Sequence, residues 1–201
     1  MNGFSDEERK RIREELIESG RDLFVRYGLE RTRIKDITDE VGIGTSTFYQ
    51  FFDSKELLYA EVLYRELTRF ETDIEEEVMG VDDPHEQVRT VLQRTFEEVE
   101  SNPIIHNLII EDEIRALQTQ LSDDDREYIS EKLSVGMTDI YNTWVNHESF
   151  KYDDPEVVNE LFRSLVFMTH RKDLARPDGE TSYDQIRDTL IDVVVDGLFD
   201  D

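Results

Sequence analysis

The sequence contains no cysteine, only four prolines and a single tryptophan among its 201 residues. Without cysteine the chain can form neither disulfide bonds nor thiolate metal sites, which is typical of an intracellular protein. It has no run of eighteen apolar residues and no apolar segment behind its charged N-terminus, so we expect neither a membrane span nor a signal peptide. These absences favour a cytoplasmic location. The apolar fraction of 37% is enough for a buried core.

Positive charge is scarce as well. The chain has 23 Lys and Arg residues, of which six are Lys, against 49 Asp and Glu, and its net charge is -26. In dilute buffer such a chain repels itself and repels DNA. Because the screening length shrinks to about 3 Å at roughly 1 M salt, this composition favours a halophile with a salt-rich cytoplasm as the source.

The charge is also unevenly distributed along the chain. Residues 1–65 hold 11 basic and 14 acidic residues, a net charge of -3, whereas residues 66–201 hold 12 and 35, a net charge of -23. Such asymmetry indicates that the two parts have different partners. The first part includes the stretch 41–52, VGIGTSTFYQFF, which has no charged residue. A surface that approaches a polyanion needs this freedom from carboxylates.

Helix signals recur from end to end, without strand-like alternation or hairpin turns, so we predict an all-helical fold. The first helix should begin at a capping box of Ser5 and Glu8 and end at Gly28. A second, short helix should lie between Thr32 as its cap and Gly42 as its stop.

Further helices are predicted along the rest of the chain. The third should span residues 45–51, and a box of Asp53 and Glu56 should open a long fourth helix toward Gly80. Later helix starts are predicted at Asp83-Pro84, Asn102-Pro103, Ser122, Asp154-Pro155 and Ser182. The helix from Ser122 should reach His147.

Residues 33–52 predict a helix-turn-helix, whose third helix enters the major groove of DNA. The aromatic residues Phe48, Phe51 and Phe52 should pack inward. We expect contacts to base edges or phosphates from Thr45, Ser46, Thr47 and Gln50, and phosphate contacts from Tyr49, Lys55 and Arg33. Other candidate phosphate contacts are Arg9, Lys10, Arg11, Arg13, Arg31 and Lys35.

Several motifs in residues 10–70 together resemble the DNA-binding domain of the tetracycline-repressor (TetR) family of regulators. These motifs are Leu23-Phe24, Tyr27-Gly28, Val41-Gly42-Ile43, Phe48-Tyr49 and Ser54-Lys55-Glu56-Leu57. Two positions depart from the family pattern. A Ser-Lys-Gly that often follows the turn is Gly44-Thr45-Ser46 here, and a histidine common before the final aromatic residue is Phe51.

The resemblance implies an all-helical homodimer. A helix-turn-helix DNA-binding domain would occupy residues 1–55, and a helical effector-binding and dimerisation domain residues 56–201. The tyrosine and lysine that commonly contact phosphate in this family match Tyr49 and Lys55. A lysine lost after the turn removes one phosphate contact, so we expect a weak dependence of DNA binding on salt.

Two apolar helices near the C-terminus suit a dimeric four-helix bundle, with intramolecular packing as the alternative. The interface candidates are Val158, Leu161, Phe162, Leu165, Ile186, Leu190 and Val194. A ligand pocket is expected among the middle helices, where bulky apolar groups meet polar ones. Its candidates are Phe96, Ile105, His106, Ile109, Tyr141, Trp144 and Phe167, each of which has ordinary packing as an alternative role.

An enzyme is not favoured, because the sequence has no phosphate-binding loop, nucleophile elbow or paired-histidine motif. Runs of carboxylates such as Glu75-Glu76-Glu77 do not share a helix face, so we predict no metal site and no cofactor. The sequence favours a ligand-responsive, sequence-specific DNA-binding regulator. We expect a repressor that binds a palindromic operator and is released by an apolar, aromatic or cationic small-molecule effector. The alternative is an acidic helical protein-interaction module without DNA binding.

Overall fold

A computed structural model of the chain describes residues 4–110, 117, 119, 121–133, 138–166 and 182–200. The described part contains ten helices, which confirms the prediction of an all-helical fold. The helices are α1 (Asp6–Arg31), α2 (Ile34–Val41), α3 (Thr45–Phe48), α4 (Lys55–Val78), α5 (Pro84–Ser101), α6 (Pro103–Ile110), α7 (Asp123–Leu133), α8 (Thr138–Val145), α9 (Pro155–Val166) and α10 (Tyr183–Leu198). None of these helices is long and apolar enough to cross a membrane.

The chain divides into two compact units. The first comprises Met1–Leu67 and Pro103–Ser134, and the second comprises Thr68–Asn102 and Val135–Asp201. Each unit has its own apolar core. Fully buried side chains of the first core include Leu16, Phe24, Ile37, Phe48, Leu58, Leu63 and Ile104, and those of the second include Ile74, Val88, Leu92, Phe96 and Trp144. The functional domain boundary after residue 55 stays a prediction.

The capping box that opens α1 is confirmed. The Ser5 side chain accepts a hydrogen bond from the backbone N–H of Glu8, and the Glu8 carboxylate accepts one from the backbone N–H of Ser5. At Gly28 the backbone turns left-handed, with φ 74°, so the regular helix is broken where the sequence predicted a stop. One further turn nevertheless continues to Arg31.

The helix-turn-helix differs from its prediction at the start of α2. Thr32 is not the cap: Arg33 occupies that position and makes no side-chain capping bond. The Thr32 hydroxyl instead donates to the Gly28 carbonyl at 2.7 Å, because the broken end of α1 leaves that carbonyl available. The stop at Gly42 is confirmed, since Gly42 has φ 77° and its N–H donates to the Thr38 carbonyl.

The next two helices begin near their predicted positions but differ in detail. Helix α3 ends at Phe48, and two tight turns carry the chain on to Phe51. The backbone N–H of Leu57 donates to the Ser54 hydroxyl at 3.1 Å, so Ser54 caps α4 where Asp53 was expected. A capping side chain must stand directly before the first helical residue, and Ser54 has that place beside Lys55.

The later helix starts are confirmed. Helices α5, α6 and α9 begin at the prolines of the three predicted cap-proline pairs, and α7 and α10 begin after Ser122 and Ser182. Both serine hydroxyls accept a backbone N–H three residues on. The long helix predicted from Ser122 to His147 appears as α7 and α8, and residues 134–137 between them lie outside the described part.

We predict that Gly42→Ala destabilises the protein by about 1 kcal/mol, because an L-residue is strained in the left-handed conformation that this turn requires. A Cβ at Gly42 would meet no atom within 4 Å, so steric overlap adds nothing to this cost. Gly42→Asn should cost less, since asparagine tolerates that conformation. Denaturant unfolding of both variants measures the difference, and an unaffected Gly42→Ala would show that the turn is not held left-handed.

Candidate nucleic-acid interface and effector region

Helix α3 and the turn after it present the predicted DNA-binding side chains to solvent. Thr45, Ser46 and Gln50 are exposed, and Thr47 is half-buried. Tyr49 is 52% exposed, and its ring packs edge-on against the fully buried Phe48, with 5.5 Å between the ring centroids. Hydroxyl and amide groups therefore form one polar, uncharged surface over an aromatic base.

Two arginines in the first turns of α1 contact the backbone and the aromatic rings next to this surface. The Arg9 guanidinium donates to the Gln50 carbonyl at 3.1 Å and lies 5.0 Å from the centre of the Phe51 ring. The Arg13 guanidinium lies 5.2 Å from the centre of the Phe52 ring. Cations over aromatic faces stabilise such contacts by roughly 0.5–1 kcal/mol when exposed. Arg9 and Arg13, both predicted to contact phosphate, therefore already interact with groups of the first unit.

Ion pairs between α1 and α4 use further basic residues of the first unit. Arg21 pairs with Glu66 at 2.6 Å, Arg13 with Glu61 at 3.1 Å, and Arg65 with Glu14 at 2.5 Å. The bond from Arg65 lowers the pKa of the Glu14 carboxyl. Because the side chains of Glu61 and Glu66 are only 10% exposed, they depend on these partners for solvation.

Few basic side chains remain available for phosphate contacts. Within residues 4–67, four basic side chains have no intramolecular hydrogen bond or ion pair: Lys10, Arg26, Arg31 and Arg33. Arg11 pairs with Glu15 at 2.8 Å. Arg33, a predicted DNA contact, is exposed at the start of α2.

Lys55 lies at the first position of α4 and points toward the end of α1. Its Nζ atom is 2.6 Å from the carbonyl oxygen of Leu29, 3.0 Å from that of Thr32 and 3.2 Å from that of Glu30. The phosphate contact of Lys55 stays a prediction, but in this structure its ammonium is bonded to protein backbone.

The predicted pocket residues fall in both compact units. In the second unit Tyr141 and Trp144 are buried, and their rings pack with each other and with that of Phe162 at centroid distances of 5.5–5.8 Å. The Trp144 indole N–H donates to the Gln87 side chain at 2.9 Å. Phe96 is also buried in this unit. These residues form a packed aromatic core, and whether they contact a ligand stays a prediction.

The other pocket candidates lie elsewhere. Ile105 is buried and His106 half-buried in the first unit. The side chain of Ile109 and all of Phe167 lie outside the described part of the chain. A surface cavity of about 510 Å³ on α5 is lined by Arg94, Glu97, Glu98, Glu100 and Ser101, so none of the predicted pocket residues lines it.

The predicted dimer residues on α9 and α10 differ in exposure. Val158 and Phe162 are buried in the core of the second unit, which already covers them. Leu161 is 37% exposed and Ile186 46% exposed. The remaining candidates, Leu165, Leu190 and Val194, are half-buried against the same core. Val157 and Val193, which belong to the same two apolar helices, are also exposed.

Glu71 on α4 is a polar group of the second unit that the sequence did not single out. It is half-buried, and this burial, with a smaller effect of Glu75, raises the pKa of its carboxyl to about 7. Burial also raises the pKa of the Tyr141 hydroxyl, and the nearby Glu71 carboxylate adds to that rise. Glu71 therefore places a titrating group beside a predicted pocket residue.

The comparison with known families bears on the first unit. Residues 16–62 match the bacterial regulatory proteins of the TetR family. This segment includes α2, α3, the turn between them and Lys55. The chain therefore carries a DNA-binding domain of the TetR family. It is therefore a DNA-binding transcriptional regulator and not an enzyme, as the sequence motifs indicated.

Relatives and solved structures extend the TetR-family likeness over most of the chain. The HTH-type transcriptional repressor KstR2 of Rhodococcus jostii is 27% identical over 194 residues, which cover 92% of this chain and 90% of that protein. A TetR family protein from Vibrio parahaemolyticus has a TM-score of 0.69 at 19% identity, covering 94% of this chain and 100% of that one. AibR, solved with isovaleryl coenzyme A and operator DNA, has a TM-score of 0.59 at 18% identity, covering 94% and 98%. The two structural likenesses show the shared fold.

The ionisation of Glu71 should lower stability progressively as the pH rises from about 4.5 to about 7. Since its pKa is about 7 in the folded protein and 4.5 without burial, the proton held by Glu71 stabilises the fold fully below about pH 4.5. That stabilisation is lost as the pH rises through 7. We predict that Glu71→Gln exceeds the parent protein in stability by roughly 1 kcal/mol at about pH 8, a value reduced for solvent screening, and equals it at about pH 4.5.

Denaturant unfolding at both pH values measures this difference. Glu76→Gln is the matched control, because Glu76 is exposed one turn further along α4 and loses the same charge. An equal gain in both variants at high pH would mean that net charge, and not the burial of Glu71, controls the stability.

Proposed function

We propose that the chain is a homodimeric repressor that binds a palindromic operator through α3 and leaves it when a small-molecule effector binds the second unit. The exposed, uncharged surface of α3 carries the proposal, because it is the part of the acidic chain that can approach DNA without repelling it. A palindromic operator needs two recognition helices about 34–36 Å apart, which a twofold dimer supplies. The role of repressor agrees with the name of the relative KstR2.

Each exposed side chain of this surface has a proposed role. Gln50 can pair in bidentate fashion with adenine, and the hydroxyls of Thr45, Ser46 and Thr47 can bond base edges or phosphates. The Tyr49 hydroxyl and the Arg33 guanidinium are proposed to bind phosphates. Because Arg9 holds the carbonyl of Gln50 in place, the polar surface is ordered before DNA arrives.

The second unit is proposed to bind the effector and to form the dimer. Exposed apolar side chains on α9 and α10, at Val157, Leu161, Ile186 and Val193, offer a surface for a second copy. An apolar, aromatic or cationic effector suits the aromatic residues and the Glu71 carboxyl of this unit better than an anion does. By linkage, effector and operator weaken each other's binding by the same factor. A regulator bound to the genome resides in the cytoplasm.

The net charge of -26 favours a second candidate, an acidic protein-interaction module that does not bind DNA. A mobility-shift assay with the DNA upstream of the chain's own gene, in about 1 M potassium salt where repulsion is screened, separates the two. A shifted band at that salt supports the regulator, whereas no shift at any salt supports the module.

We predict that Tyr49→Phe and Gln50→Ala each weaken operator binding about tenfold or more, because a lost hydrogen bond or bidentate pair costs about 1–3 kcal/mol. Tyr49→Phe retains the packing on Phe48, so thermal stability should stay unchanged. Tyr152→Phe, an exposed tyrosine of the second unit, is the control. Full binding by both variants would refute the assignment of α3 and the turn after it as the recognition element.

The dependence of binding on salt should be weak. If the exposed Arg31 and Arg33 beside α2 make the phosphate contacts, a dimer releases roughly four counterions, so log affinity falls against log salt with a slope of about -4. Titration of the upstream duplex at several salt concentrations measures the slope. A slope near -10 would require basic contacts that this surface lacks. For a halophile protein, we expect the fold itself to be more stable at about 1 M salt than in dilute buffer.

A further inference from the structure

Lys55 is fully engaged by backbone carbonyls. An ammonium group has three N–H donors, and the carbonyls of Leu29, Glu30 and Thr32 accept one each. A phosphate contact from Nζ therefore requires that at least one of these bonds break. The three acceptors lie 23 to 26 residues away in the sequence, so this contact joins the start of α4 to the end of α1.

The end of α1 is a place where carbonyls need donors. A helix leaves its last carbonyls without partners inside the helix, and the left-handed Gly28 breaks α1 one turn before Arg31. The N–H and hydroxyl of Thr32 both donate to the Gly28 carbonyl, and Lys55 donates to the carbonyls that follow. A positive charge at a helix C-terminus is also favoured by the helix dipole.

We propose that Lys55 is a positioning residue that fixes the corner between α1 and α2, and that it is not a phosphate ligand. Thr32 stands two residues before α2, and α2 connects through the turn at Gly42 to α3. The corner held by Lys55 thus sets where α3 lies in the first unit. The part of this inference that concerns DNA rests on the proposed function.

Thermal unfolding without DNA tests the anchoring directly. Lys55→Met retains the length of the side chain but removes its donors, and it should lower Tm by about 5 °C or more. Lys55→Arg keeps the charge, but a planar guanidinium cannot direct its donors at three converging carbonyls as an ammonium does, so Tm should also fall. Lys35→Met is the control: its side chain is 72% exposed and pairs on the surface with Asp39, so Tm should move by about 1 °C or less.

The dependence of DNA affinity on salt distinguishes positioning from phosphate binding. With the upstream duplex as the probe, Lys55→Met should reduce affinity about tenfold at every salt concentration and leave the slope of log affinity against log salt unchanged. Arg33→Met is the comparison, since loss of a true phosphate contact flattens the slope by about 0.9 per contact without a change in Tm. A flattened slope for Lys55→Met overturns the proposal, with or without a fall in Tm.

If Lys55→Met does not fold, Lys55→Arg tests whether Lys55 positions the α1–α2 corner or binds phosphate. A phosphate ligand tolerates this change, so parental Tm and parental affinity would overturn the proposal, whereas a fall in both supports it. The Tm measurements do not involve DNA. A parent protein that binds no duplex would therefore refute the proposed function, while the anchoring of the α1–α2 corner by Lys55 would still be tested.

Discussion

Repulsion between carboxylates and DNA phosphates is the constraint on which the organisation of this chain depends. A net charge of -26 opposes binding unless the carboxylates stay away from the contact surface. Between Glu40 and Asp53 there is no charged residue, and α3 with its exposed hydroxyl and amide groups lies in that interval. The surface proposed to contact DNA is consequently polar rather than basic. Hydrogen bonds and shape should therefore contribute more to affinity than counterion release does.

The basic residues of the first unit mostly stabilise the unit itself. Arg13, Arg21 and Arg65 pair α1 with α4, and two of their partners, Glu61 and Glu66, are nearly buried. Removing one partner of a fully buried pair typically costs about 3–5 kcal/mol, and the cost should be smaller here because the arginine side chains are 37–40% exposed. Salt screens buried pairs much less than exposed ones. An acidic protein in concentrated salt can therefore keep these pairs while its surface repulsion is screened.

The second unit combines a packed aromatic core with the partly desolvated carboxyl group of Glu71. Tyr141, Trp144 and Phe162 fill its interior, while Glu71 is half-buried and has a pKa near 7. Exposed valines on α9 and α10 stand out in a part of the chain that is otherwise strongly acidic. Apolar surface exposed in this way commonly marks an interface. The same unit can accordingly carry both the dimer contact and the effector site proposed for this chain.

Local chemistry made much of the fold predictable from the sequence. The box of Ser5 and Glu8, the proline at position 84 and the glycine at position 42 act through capping bonds and backbone angles, which depend on neighbours three or four residues away. The helix-turn-helix and its family followed from the same short-range signals. Where a local signal met a competing partner the prediction was wrong, as at Thr32, whose hydroxyl bonds the carbonyl of Gly28 in the preceding helix.

Tertiary structure alone decided the roles that depend on distant partners. The sequence predicts that Lys55 contacts phosphate, yet the fold brings carbonyls 23 to 26 residues away within hydrogen-bonding distance of its ammonium. Arg9 bonds the carbonyl of Gln50, 41 residues away. In the sequence nothing distinguishes Glu71 from its acidic neighbours. Only packing in the second unit half-buries its carboxyl group and raises its pKa. By itself the sequence determined the helices and the uncharged segment proposed to recognise DNA, because both are set by neighbouring residues. The partners of each charge were decided by which helices the folded chain brings together.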